Sequence, residues 1–110
     1  MPMEPGARPG AGPHDHSAAV APKGDAGPSS RAFAAAVAAM HEGMDIVYTG
    51  DADVDFATSM IAHHQGAIDM AKVELQYGKD EKTRKLAEDI IKTQESEITM
   101  MTQWLKSKGK

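Results

Sequence analysis

The chain has 110 residues, which fits one small domain. It contains no Cys, so a disulfide framework, a thiolate zinc site and a cysteine nucleophile are all excluded. Twelve basic and sixteen acidic residues give a net charge of −4, which argues against nucleic-acid binding by phosphate neutralisation. No apolar run approaches the roughly 18 residues of a membrane span. The unusual entry is eight Met, against two Phe, two Tyr and one Trp.

The first 31 residues differ from the rest. All six Pro and five of the ten Gly lie there, and Leu, Ile, Phe, Tyr and Trp are missing. Such a segment buries too little apolar surface to offset its ordering entropy, so residues 1–31 are expected to form a disordered tail. Its composition resembles the linker that follows a removed export signal, although no apolar signal segment follows a basic start. Its charges cancel, so the net −4 belongs to residues 32–110.

Three helices are predicted in that second region. Helix 1 runs from about Ser30 to Tyr48, capped by Ser29 or Ser30 and driven by the Ala-rich RAFAAAVAAM. Gly50 ends the segment. Helix 2 runs from about Val54 to Tyr77, with Asp53 as N-cap, Asp55 in the first turn and Gly78 as a left-handed stop. Helix 3 starts after Asp80 and runs to about Lys106. Its apolar residues Leu86, Ala87, Ile90, Ile91, Ile98, Met101, Trp104 and Leu105 recur at spacings of 3, 4 and 7. The short YGKD link predicts an antiparallel hairpin of helices 2 and 3. The fold class is therefore all-α. Three helices make a thin core, and with no Cys a metal or a second copy of the chain is expected to complete it.

The centre of helix 2 carries the candidate chemistry. With Met60 at 0° on a helical wheel, His64 lies near about 40°, His63 near about −60° and Met70 near about −80°. This Met/His face adjoins the aliphatic stripe of Ala57, Ile61, Ile68 and Leu75. Gly66 and Ala67 keep its middle low. Helix 1 adds Met40, His41 and Met44, and helix 3 adds Met100 and Met101 beside Gln94 and Glu97. Thioether sulfur and neutral imidazole suit Cu(I) and related soft ions. Thioethers carry no proton to displace, whereas imidazole must be neutral to bind.

Blander explanations stand beside this one. A single Met at helical spacing is more often adaptable core filler than a ligand. A lone His beside a core is usually a hydrogen-bonded structural residue. Adjacent helical residues such as His63 and His64 diverge by about 100°, so they do not readily chelate one ion together. Which of the two is a ligand stays open at this point.

Sharper motifs fail. There is no H-E-x-x-H zincin signature, because Gln65 follows His64. No Glu stands three residues before any of the helical His residues, so a di-iron bundle site is missing. Asp51, Asp53 and Asp55 begin like a calcium-binding loop, but Phe56 and Ala62 fill the required Gly and Glu positions. The three Asp are assigned to capping. Ser59 and His63 lack a third catalytic member, so a hydrolase is not expected. In the tail, Met1-x-Met3 and His14-x-His16 are small pairs able to hold metal loosely.

Three segments carry a family resemblance: G-D-x-D-x-D-F-A from Gly50, M-x-x-H-H-Q-G-A-I-D-M-A from Met60, and Q-x-x-E-I-x-x-M from Gln94. They resemble the domain-of-unknown-function 305 family, which includes the CopM-type copper-binding proteins of bacteria. The likeness extends over roughly residues 33–107. It implies a ferritin-like helical bundle, export to the periplasm or cell exterior, and binding of Cu(I) with Ag(I) as a mimic. The implied role is copper sequestration, transfer or tolerance, with no catalysis. The ligands it implies are Met60, His63, His64 and Met70, with Met40, His41 and Met44 from helix 1 and Met101 from helix 3. Longer relatives contain a fuller four-helix unit, so closure of a three-helix chain is expected to need a dimer. Other periplasmic copper-handling proteins are possible partners. The alternative is a Met-rich helical interaction module with no physiological metal. A copper oxidase is a third possibility, but no oxidising centre can be read.

Overall fold

The computed structural model describes residues 21–110. It contains three helices: α1 over Pro28–Met44, α2 over Ala52–Tyr77 and α3 over Glu81–Ser107. The all-α class and the helix count match the sequence expectation.

The ends of α1 differ from it. Pro28 occupies the first turn, where its missing N–H costs nothing, and Gly27 is the N-cap without a side-chain bond. Residues 28–31 are thus helical, not part of the tail. Neither Ser29 nor Ser30 caps. Asp25 organises the entry instead, accepting from the Gly27 N–H at 2.9 Å and the Ser30 hydroxyl at 2.7 Å. At the other end α1 stops at Met44, short of Tyr48. Residues beyond it are held by Asp55, whose carboxylate accepts from the Thr49 N–H at 3.0 Å, the Thr49 hydroxyl at 2.9 Å and the Gly50 N–H at 3.2 Å. Gly50 has φ +91°, a left-handed conformation that favours glycine.

The N-cap of α2 is Asp51, not Asp53; its side chain accepts from the N–H groups of Asp53 and Val54. Asp53 and Asp55 sit in the first turn, next to the positive end of the helix dipole. Gly78 is extended, with φ −74° and ψ 154°, and is not the expected left-handed stop. Arg84 replaces that device. Its guanidinium donates to the carbonyls of Leu75 at 2.7 Å and Gly78 at 3.0 Å. These are end groups that the helix itself leaves unpaired. Asp80 caps α3 by accepting from the Thr83 N–H at 2.9 Å.

Helix α2 is the centre of the molecule. It packs on α1 along one side and on α3 along another, while α1 and α3 make no close approach to each other. The α1 contact depends on small residues. A Cβ built on Gly66 would lie 2.6 Å from the Met40 Cγ and Sδ and 2.7 Å from its Cβ. One at Gly43 would lie 3.1 Å from the Ala62 Cβ. Later residues of α1 thus meet earlier residues of α2, so the two helices are antiparallel.

The buried core consists of Ala36, Val54, Ala57, Ile68, Ala71, Val73 and Ala87, and only Ile68, at 2 % exposure, is large and essentially sealed. Of the expected stripe, Ala57 and Ile68 are buried, while Ile61 and Leu75 are half-buried. The radius of gyration is 15.7 Å, against about 12 Å for a compact chain of about 90 residues. The three helices therefore form an open arrangement. Among the described residues no helix is long and apolar enough to cross a membrane. The expected tail, with its Met1/Met3 and His14/His16 pairs, lies outside the described residues apart from its last part.

Two outcomes follow. Gly66→Ala gains about 1 kcal/mol of helix propensity but drives a methyl into Met40, at a cost of about 1–3 kcal/mol. Its thermal midpoint should fall by several degrees, and the same change in a Met40→Gly background, which also removes the Met40 Cβ, should raise it. A rise in both backgrounds would mean that Met40 does not press on Gly66.

The Asp55 carboxyl is held below the usual carboxylate range, chiefly by the Thr49 N–H, with the Thr49 hydroxyl and the Gly50 N–H adding to it. A lowered folded-state value stabilises above the unfolded value and is lost as pH falls through the folded one. The thermal-midpoint gap between wild type and Asp55→Asn should be full at pH 6 and should shrink below about pH 4. A gap unchanged down to pH 3 would contradict the assignment.

Candidate metal site

The Met/His face of α2 lies between its two packed sides. Gly66 follows His64 by two residues, so the two positions point about 160° apart around the helix. Gly66 meets α1, and His64 meets α3. Met60, His63, Ala67 and Met70 fall on the arc between, so they look out where α1 and α3 fail to meet. Met60, Ala67 and Met70 are half-buried and His63 is exposed.

The two adjacent histidines have separate surroundings. Their ring centroids are 6.1 Å apart, with planes at 62°. His63 faces solvent. The His64 side chain is only 14 % exposed, and its Nε2 lies 2.6 Å from Oε1 of Glu97 on α3. A carboxylate accepts, so in the neutral ring Nε2 carries the proton and Nδ1 carries the lone pair. Nδ1 is buried without a hydrogen-bond partner, and so is Oε1 of Gln94, one turn before Glu97 on α3. An imidazole fixed by a carboxylate on one nitrogen, with the other left as a free donor atom, is the arrangement found in metal-ligating histidines.

The His64–Glu97 contact also sets the level of neighbouring residues. In the antiparallel hairpin, one turn back along α2 is Met60 and one turn forward along α3 is Met101. Register puts these two residues level with each other, one helical turn from the imidazole–carboxylate pair. Met101 lines a groove with Asp53, Phe56, Ala57, Met100 and Trp104. His64 and Met101 thus lie along the α2/α3 seam, and Met60, half-buried, stands at its edge toward the gap.

The α1 residues lie apart from that seam. Met40 seats its thioether over Gly66, Met44 is half-buried and His41 is exposed. Met70, one turn after Gly66, is half-buried on the same arc of α2. The eight candidates are therefore distributed along an open face that α2 floors and α1 and α3 border. Among the described residues no three His, Asp or Glu side chains converge on one point. Sequence reasoning noted Gln94 and Glu97 beside the methionines without giving either a role. Their i, i+3 spacing was the available signal.

The aspartates of the Gly50–Ala57 motif do structural work. Asp51 caps α2 and Asp55 ties the preceding loop, as a capping assignment predicts.

Comparison with curated proteins finds no match. The family model described as Domain of unknown function (DUF305) matches residues 53–110. That span takes in nearly all of α2, the whole of α3 and the His64–Glu97 pair, and leaves α1 outside it. Matching more than half of the sequence, it shows that the chain belongs to the DUF305 family.

Proposed function

We propose that this protein binds Cu(I), with Ag(I) as a mimic, and handles copper by sequestration or transfer without catalysing a reaction. The observation that carries this reading is the half-buried His64, whose Nε2 is held by Glu97 and whose buried Nδ1 has no partner. Met60 and Met101, one helical turn away along α2 and α3, offer thioether sulfur. A soft, neutral donor set of this kind favours Cu(I) over Zn(II), Mg(II) or Ca(II). Of the two adjacent histidines, His64 is the ligand in this reading. His63, Met70, Met40, His41 and Met44 border the same face and serve as entry or secondary positions.

The wider setting belongs to the same proposal. The protein acts in the periplasm or outside the cell, where it exchanges copper with other copper-handling proteins. A ferritin-like bundle is completed when a second copy supplies the helices that one chain lacks. A second reading, a helical interaction module, draws support from the groove where Phe56 and Met100 stay exposed.

An anaerobic competition titration against a chromogenic Cu(I) chelator, with Zn(II) in parallel, tests the proposal. Wild type should capture Cu(I) stoichiometrically and bind Zn(II) weakly. Met60→Ala and His64→Ala should each weaken Cu(I) binding at least about tenfold, and Glu97→Gln by about 10–100-fold through loss of imidazole orientation. Unchanged Cu(I) affinity in folded Met60→Ala and His64→Ala proteins would overturn the site.

A further inference from the structure

Helix α3 carries two adjacent apolar seams. The first, containing Ala87, Ile91, Gln94, Ile98, Met101 and Leu105, faces α2. The second comprises Leu86, Ile90, Thr93, Glu97, Met100 and Trp104, with spacings of 4, 3, 4, 3 and 4 along the helix. That alternation is the signature of a helix–helix seam. Among the described residues α1 does not approach this seam, and α2 reaches it only along the edge, at Glu97 and beside Met100 and Trp104. Leu86 is 57 % exposed and Met100 62 % exposed, and Phe56 of α2, beside Met100 in the groove, is 65 % exposed.

The second seam is complementary to itself. Opposed antiparallel to a copy about a two-fold axis level with Glu95, it sets Leu86 against Trp104, Ile90 against Met100 and Thr93 against Glu97. Each apolar residue meets an apolar one, and the hydroxyl meets the carboxylate. An isologous C2 contact requires this kind of matching. The groove of about 370 Å³ between Phe56, Met100, Met101 and Trp104 lies at the end where Leu86 and Ile90 of the copy arrive. From Leu86 to Trp104 the seam runs about 27 Å, and the exposed Phe56 of α2 widens it at the groove.

We propose that two copies of this chain associate antiparallel through the Leu86–Trp104 seam of α3, with the Phe56/Trp104 groove of each receiving Leu86 and Ile90 of the other. The inference rests on the reading that a second copy completes the bundle, and it names the surface that does so. Because Glu97 lies in this seam and also holds His64, the contact borders the proposed copper site and shields that edge from water.

Sedimentation velocity of the full chain, without metal, tests it. The expected mass is twice the 11.7 kDa of the chain. Leu86→Glu/Met100→Glu, changing two exposed residues, should keep its helical circular dichroism and raise the dissociation constant at least about 100-fold. Lys72→Glu, on the polar side of α2, should leave it unchanged. Since the chain has no Cys, Thr93→Cys with a short bismaleimide should cross-link two copies, and Lys72→Cys should not. A monomeric wild type would overturn both the seam and completion by a second copy. A dimer indifferent to the double substitution and not cross-linked through residue 93 would overturn the seam alone. Cu(I) stoichiometry per chain, measured separately, shows whether the copper reading stands in either case.

Discussion

The governing constraint is that α2 is packed on two sides by helices whose backbones make no close approach to each other. Its buried partners are mostly Ala and Val, and the Met40–Gly66 contact lets α1 approach only because glycine stands there. Small side chains give close helix packing but little buried apolar area, so stabilisation per residue is modest. The arc of α2 left between its neighbours is where the sequence concentrates methionine and histidine. An open core and a soft-ligand face are thus two consequences of one packing arrangement. Met suits both, being flexible enough to cover a partly exposed surface and polarisable enough to bind a soft ion.

Within that arrangement the His64–Glu97 pair links fold to chemistry. Its partners are 33 residues apart in sequence, and their contact sets α2 and α3 in register. The same contact directs the imidazole proton to one nitrogen and leaves the other as a donor. The carboxylate does not need to touch a metal to matter. It orients the ring and fixes its tautomer, as carboxylates behind ligating histidines do. The proposed copper site, with a thioether one turn away on each helix, needs no thiolate, consistent with a chain devoid of cysteine.

Much of the fold could be read from local pattern. The helical hairpin followed from the short link and from Asp80, after which the third helix begins as expected. Periodicity located the core stripe through Ala57 and Ile68. What escaped was of two kinds. Caps were ambiguous where candidates repeat: Asp51, Asp53 and Asp55 alternate, and only geometry selects the first as N-cap and gives the third to the preceding loop. Gly78 looked like a left-handed stop because the sequence offers no sign that Arg84 will fold back onto the end of α2. Non-local contacts were the second kind. The wheel put His64 and Met60 on one face, but the choice of His64 over His63 required knowing where Glu97 sits.

The central claim is that His64 and methionine thioethers together hold a soft metal ion. X-ray absorption spectroscopy of the protein loaded anaerobically with one Cu(I) per chain tests it most directly. The account predicts a low-coordinate Cu(I) shell of mixed sulfur and nitrogen scatterers, with the imidazole contribution lost in His64→Ala and kept in His63→Ala. A shell without sulfur, or an imidazole signal that follows His63 instead of His64, would contradict it.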